Sequence, residues 1–183
     1  MRIHLVTGGA RSGKSRYAER LAHEMATGEV VTYIASAQPG DDEMRRRIAL
    51  HRARRPGHWQ TIEVTDDVPA ALSVRTSNTV LLDCLTLLAS NAFLPAAEQG
   101  EQAALSAVAD TIDSLLRAAD QHEGDLIIVT NEVGFGIVPD NEFGRWFRDA
   151  LGGANARIAA SAESAVLVVA GCALRLDVST ARA

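Results

Sequence analysis

The sequence lacks most of what would tie it to a membrane or to a nucleic acid. No apolar run is long enough to span a bilayer. Acidic residues outnumber basic ones, 23 to 18, and the net charge of −5 argues against a general nucleic-acid binder, which would show a basic surface. Cysteine is scarce. Cys84 and Cys172 each lie in or beside an apolar stretch, and neither has a second ligand pair nearby, so buried thiols fit better than a metal pair. The chain enters an apolar run at Ile3, so no secretory leader is expected, and reduced thiols then favour the cytoplasm. Internal repeats, long linkers and the N-K-x-D guanine signature of switch GTPases are all missing. A chain of 183 residues with 47% hydrophobic composition suits one domain, residues 1–183, with a real core.

What is present is concentrated near the N-terminus. Gly8-Gly9-Ala10-Arg11-Ser12-Gly13-Lys14-Ser15 fits the phosphate-loop pattern G-x-x-x-x-G-K-[ST] at every fixed position. Ile3-His4-Leu5-Val6-Thr7 before it reads as a buried strand, and Tyr17, Leu21 and Met25 after it fall at helical spacing. Glycines let the backbone curl so that several N–H groups face one phosphate, and the helix start adds unpaired donors and the positive dipole end. Lys14 then reaches the β- and γ-phosphates while the Ser15 hydroxyl suits Mg²⁺. The competing meaning, a glycine turn that merely joins strand to helix, does not account for all the fixed positions in this context.

Apolar runs recur at Ile3–Thr7, Val30–Ala35, Val80–Asp83, Leu126–Thr130 and Ala165–Ala170. Most are continuous rather than alternating, as in a sheet covered on both faces. Helical segments separate them at Ser15–Met25, Asp41–His51, Val68–Arg75, Glu98–Ala119 and Asn141–Glu163, with a bend or break suggested by Gly152-Gly153. Gln60–Val64 is open between short strand and loop, and the tail from Asp177 to Ala183 is expected to fray. Alternating strands and helices imply an α/β fold with a mostly parallel sheet, and sites in such sheets lie at the carboxyl ends of the strands.

Several strand ends are therefore of interest. Ala35-Ser36-Ala37 is small enough for a ligand to approach the backbone, or is a plain turn before Pro39-Gly40. Asp83 ends an apolar strand and is the natural magnesium-linked carboxylate; Glu132 ends another and competes with it. Six arginines lie between Arg45 and Arg55, which reads either as a solvated face or as an anion site. Among them stands His51. Neighbouring guanidinium groups favour its neutral form, which is nucleophilic towards phosphorus, although a structural histidine is the commoner case. The loop 131–141 carries Val133, Phe135 and Ile137, which need a covering subunit or substrate unless the loop folds back.

Together these pieces resemble the bifunctional adenosylcobinamide kinase / adenosylcobinamide-phosphate guanylyltransferase family. The resemblance runs from Val6-Thr7-Gly8 through Arg16, Tyr33-Ile34-Ala35, Asp41-Asp42-Glu43-Met44 with Arg47-Ile48 and His51, Arg55-Pro56 with His58-Trp59, and Leu81 to Thr86, to Thr130-Asn131-Glu132-Val133-Gly134 with Gly136 to Pro139. The arginine–histidine segment and the N-E-V-G-x-G-I-V-P loop are its most specific parts. It implies a P-loop NTPase sheet of the RecA-like type. It also implies phosphorylation of adenosylcobinamide by ATP or GTP, then transfer of GMP from GTP through a histidine to give adenosylcobinamide-GDP. On that resemblance His51 carries the GMP. Nucleotide contacts fall on Gly8, Gly9, Ala10, Arg11, Ser12, Gly13, Lys14, Ser15, Ala35, Ser36, Ala37, Arg52, Ala53, Arg54, Arg55, Glu63 and Asp83. Ser15 and Asp83 serve Mg²⁺, and the assembly is a homotrimer; from composition, no nucleic-acid partner and no membrane span are expected. Leu50 stands where some relatives carry a second histidine, which leaves His51 as the one candidate nucleophile there. The rival is a P-loop kinase of another small metabolite with no nucleotidyl transfer; a nucleotide-dependent module without catalysis is the alternative of another class.

Overall fold

A computed structural model describes residues 1–36, 42, 45–46, 49, 52–53 and 55–182. Seven strands make one sheet: β1 (Arg2–Gly8), β2 (Val31–Ala35), β3 (Gln60–Glu63), β4 (Thr79–Asp83), β5 (Asp125–Asn131), β6 (Ser164–Val169) and β7 (Cys172–Leu176). Their order across the sheet is β3-β2-β4-β5-β1-β6-β7. Every pair is parallel except β6 with β7. The helices are α1 (Lys14–Ala26), α2 (Val68–Ser73), α3 (Leu85–Ala97), α4 (Glu101–Asp120) and α5 (Glu142–Ser161), with a 3₁₀ turn at Val178–Arg182.

The continuous apolar runs are explained by two cores, one on each face. Leu5, Ile34, Leu82, Leu126 and Ile128 face the layer built by α2 to α5, and Leu85, Phe93, Ile112, Leu115, Leu151 and Ile158 fill that layer. Val6, Tyr33, Leu81, Ile127 and Val129 point the other way, towards Ala18, Ala22 and Ala26 of α1. Successive strand residues alternate between the faces, so a strand covered on both sides shows no alternation in sequence. The amino-terminal edge of the sheet is tied by a polar cluster. Arg2 donates to both oxygens of Asp125 at 2.8 and 2.9 Å, and His4 meets Asp125 Oδ1 at 3.1 Å and Ser164 Oγ at 2.9 Å. Burial pushes the Asp125 carboxyl up, but hydrogen bonds from Arg2 and His4, with their charges, outweigh it and hold the group below the usual carboxylate range.

Several expectations are corrected. Helix α3 replaces what read as an unassigned stretch; it is apolar nearly all round, so it shows no helical stripe, and Pro95 sits near its end. Strand β7 follows β6 through the two-residue turn Ala170-Gly171, both residues left-handed at φ 51 and 80, a hairpin without the usual asparagine or aspartate signal. Helix α5 runs unbroken through Gly152-Gly153, because buried Ala150, Leu151 and Ala154 hold it against the sheet. The tail is anchored: Arg182 donates to the carbonyls of Ala160 and Ala162 at 3.2 and 2.8 Å. Gln60–Glu63 is a strand. Of the expected helix 41–51, Asp42, Arg45, Arg46 and Ala49 are described, and all four are helical.

Candidate functional site

The register sets five strand ends side by side. Ala35 lies opposite Glu63 on one flank and Asp83 on the other, and Gly8 lies opposite Asn131. Between β1 and α1 the phosphate loop turns through Arg11 at φ 58 and Gly13 at φ 97. Two of its glycines are needed for packing as well as for phosphate. A Cβ on Gly8 would stand 2.4 Å from the carbonyl oxygen of Val168, and one on Gly13 would stand 3.3 Å from Gly171 Cα. The β6–β7 hairpin thus lies directly behind the loop, and Gly171 N–H donates to the Ser12 carbonyl at 2.8 Å. No feature of the sequence announced this buttress.

Lys14 opens α1, and its ammonium donates to the Gly9 carbonyl across the loop at 3.2 Å. Burial lowers the Lys14 pKa from its ordinary value, while the negative charge of Asp83 works against that shift. The lysine is therefore partly desolvated and within the field of the carboxylate that ends β4. Asp83 accepts a hydrogen bond from the Tyr33 hydroxyl at 2.6 Å. Next to it, the Cys84 thiol is pushed up to about 11 by burial and by Asp83, so Cys84 is a buried neutral thiol, as expected from the sequence. Cys172 is exposed instead, on the edge strand β7.

Ser36 is fully buried, and its hydroxyl both donates to the Cys84 carbonyl at 2.7 Å and accepts from Cys84 N–H at 3.0 Å. It locks β2 to β4, so any ligand contact there would come from the backbone. Asn91 of α3 clasps the carbonyls of Ser36 and Thr65 at 3.4 and 2.7 Å and fixes the ends of β2 and β3 together. Arg52, exposed and helical, pairs with Glu63. The Arg55 guanidinium lies over the Tyr33 ring, 3.3 Å from its centroid, with Nε buried and without a hydrogen-bond partner among the described residues. Ala53 is exposed and helical. His51, Ala37 and Arg54 lie outside the described residues.

Glu132 follows β5. Its N–H donates to the Gly8 carbonyl at 3.2 Å, and its side chain accepts from Gly134 N–H at 2.5 Å. Glu132 therefore shapes the start of the loop that follows it. Beyond it Phe135, Ile137 and Val138 are exposed, Ile137 almost completely at 98%. Residues that sequence reasoning missed are Tyr33, Asn91 and Gly171. Only Tyr33 carried a usable signal, as a hydroxyl inside an apolar strand.

A buried parallel sheet, a glycine loop gripping its own lysine and a carboxylate at the end of β4, one strand removed from β1, define a P-loop NTPase of the RecA-like type. Solved structures agree on the fold. An ATPase from the type III secretion system of pathogenic bacteria superimposes with a TM-score of 0.52 at 13% identity, covering 91% of this chain and 50% of that one. The ATPase domain of G40P gives 0.53 at 14% identity, covering 91% and 68%. Residues 4–176 match the family described as cobinamide kinase / cobinamide phosphate guanyltransferase, and the chain belongs to that family. It is 44% identical to the bifunctional adenosylcobalamin biosynthesis protein CobP of Pseudomonas aeruginosa over 177 residues, 94% of this chain and 95% of the relative. It is 40% identical to the protein CobU of Salmonella typhimurium over 180 residues, 94% and 98% of the two chains. The chain is thus a bifunctional transferase of cobalamin biosynthesis, a cobinamide kinase and a cobinamide phosphate guanylyltransferase.

Proposed function

We propose that both reactions run at the carboxyl edge of the sheet, over the phosphate loop, with Lys14 and the backbone of residues 8–15 gripping the triphosphate. The observation that carries this reading is the phosphate loop itself: the Lys14 ammonium at the head of α1 folds back onto the Gly9 carbonyl at 3.2 Å, on the sheet edge where β4 ends in Asp83. In the kinase step the hydroxyl of adenosylcobinamide attacks the γ-phosphorus of ATP or GTP, the bond to the β,γ-bridging oxygen breaks, ADP or GDP leaves and the hydroxyl proton passes to solvent, while Lys14 balances the charge that spreads over the phosphoryl oxygens. Ser15 and Asp83 offer hard oxygen donors at the start of α1 and the end of β4, a set that suits Mg²⁺. When bound there, Mg²⁺ supplies charge neutralisation and orientation of the phosphates.

In the second reaction a His51 ring nitrogen bonds to the α-phosphorus of GTP and pyrophosphate leaves. The phosphate oxygen of adenosylcobinamide phosphate then attacks the same phosphorus, forms adenosylcobinamide-GDP and frees the imidazole. Support comes from the residue next in sequence: Arg52 is tethered by Glu63 at the end of β3, on the same edge as the phosphate loop. Arg52 to Arg55, Ala35 to Ala37 and Glu63 contribute nucleotide contacts in this reading. Exposed Phe135, Ile137, Val138 and Phe143 supply an apolar surface for assembly as a homotrimer. The reactions take place in the cytoplasm; no described helix is long and apolar enough to cross a membrane. Incubation with GTP labelled at the α-phosphate tests the second step. Acid-labile, base-stable label is expected on the protein and absent from His51→Ala; label that persists in that variant refutes the histidine intermediate.

A further inference from the structure

Tyr33 is buried, lies outside the phosphate loop and yet touches two parts of the site. Its hydroxyl donates to Asp83 Oδ2 at 2.6 Å. Its ring carries the Arg55 guanidinium at 3.3 Å from the centroid. The ring itself is 1% exposed and packed with Trp59 and Leu81 in the core under α1. The phenol is thus held by the core on one side while it presents a donor to one site residue and an aromatic face to another. Burial first, then the charge of Asp83, pushes its ionisation far above the ordinary tyrosine value, with Arg55 opposing and Glu19 adding to the rise.

An aspartate at the end of a strand has several staggered rotamers open to it. A hydrogen bond to its ionised oxygen selects one of them, and such bonds are stronger than those between neutral groups. Asp83 is close enough to Lys14 for its charge to act on that ammonium. The direction in which Asp83 presents its carboxylate thus depends on a side chain anchored in the core. Arg55 sits on the face of the same ring. A cation over an aromatic face is attracted by its quadrupole, and the attraction grows when both groups are desolvated.

We infer that Tyr33 is a positioning residue for both reactions: its hydroxyl fixes the Asp83 carboxylate, and its ring seats Arg55, so that the Arg55 guanidinium and the carboxylate are held as one unit. The inference rests on the reading of Asp83 as the magnesium-linked carboxylate. The two fail differently when Mn²⁺, a paramagnetic substitute for Mg²⁺, is titrated into the protein with a non-hydrolysable GTP analogue and free ion is followed by electron paramagnetic resonance.

Asp83→Asn is expected to weaken Mn²⁺ binding about tenfold or more. Tyr33→Phe keeps the ring and is expected to weaken it about three- to tenfold, to lower kinase kcat by a similar factor, and to change KM for nucleotide less than about twofold. The double variant binds Mn²⁺ no more weakly than Asp83→Asn alone. Tyr33→Leu loses the ring too; it binds Mn²⁺ like Tyr33→Phe but gives up a further factor of about three to ten in affinity for the GTP analogue, the share carried by Arg55. Should Tyr33→Leu not fold, Arg55→Met in the wild-type and Tyr33→Phe backgrounds reads the same share, expected to be equal in both because the ring is retained. Wild-type Mn²⁺ affinity in Tyr33→Phe, with Asp83→Asn weakened, overturns the inference, as does additivity in the double variant. Wild-type affinity in Asp83→Asn overturns the reading of Asp83 itself.

Discussion

The two edges of the sheet each carry a polar cluster, and the clusters are opposite in character. At the amino-terminal edge Arg2, His4, Asp125 and Ser164 answer one another across three strands. The row Ser164, His4, Asp125 has the residue types of a hydrolytic triad, yet its hydrogen bonds are consumed in stitching β1 to β5 and β6. At the carboxyl edge the accounts do not close. Thr7 Oγ1, Ser12 Oγ and Arg55 Nε are three of the five buried side-chain polar atoms that have no partner among the described residues. Burying a polar group without a hydrogen bond is costly, so such groups gather where a ligand completes them. The other two of the five are Trp59 Nε1 and Arg75 Nε, so the larger share of the unsaturated polarity lies at the carboxyl edge.

The sharpest way to break this contrast is at the carboxyl edge. Lys14→Ala is expected to lower kcat/KM of both reactions by about 10² to 10³ or more while moving Tm by no more than about 2 °C. Steady-state kinetics and a thermal melt read the two together. The reverse pattern is expected at the other edge. Asp125→Asn leaves His4 and Arg2 without their carboxylate and lowers Tm by about 5 °C or more, with kcat per folded molecule unchanged. A large loss of kcat there would erase the distinction.

Gly8→Ala probes the seam between the edge and the hairpin behind it. Its Cβ would collide with the Val168 carbonyl, so stability falls by about 1–3 kcal/mol and nucleotide affinity falls with it, measured by denaturation and calorimetry. Smaller still is Ser164→Ala, about 1 kcal/mol by denaturant titration with no change in activity. The pH dependence follows from Asp125. Its folded pKa lies below the unfolded one, so the stability it adds is complete above the ordinary aspartate range and is lost as pH falls through the folded value. Denaturant midpoints between neutral and acid pH are expected to fall less steeply in Asp125→Asn than in the wild type.

Much of this was legible in the sequence because the physics is local. The phosphate loop announces itself by spacing, and Asp83 by standing at the end of an apolar run. The parallel sheet was readable because strands with both faces covered lose their alternation. Contacts between distant strands were not readable. Nothing near Tyr33 in sequence indicates that its hydroxyl meets Asp83, fifty positions on. Ser36 looked like a small residue at a ligand's approach, whereas its hydroxyl is spent on Cys84. Helix α3 was missed because apolar residues all round give no stripe, and β7 because Ala170-Gly171 is an uncommon hairpin turn. The expectation for His51 rests on sequence and family, since that residue lies outside the described set.

Lys14 is the only lysine in the chain. Apart from the amino terminus, whose nitrogen is held by the carbonyls of Ala119 and His122, no other side-chain amine exists to react with an acylating probe. A reagent selective for amines therefore has two targets, the amino terminus and the phosphate loop, and peptide mapping separates them. Mass measured on the peptide that holds Lys14, with and without triphosphate, becomes a direct count of occupied sites.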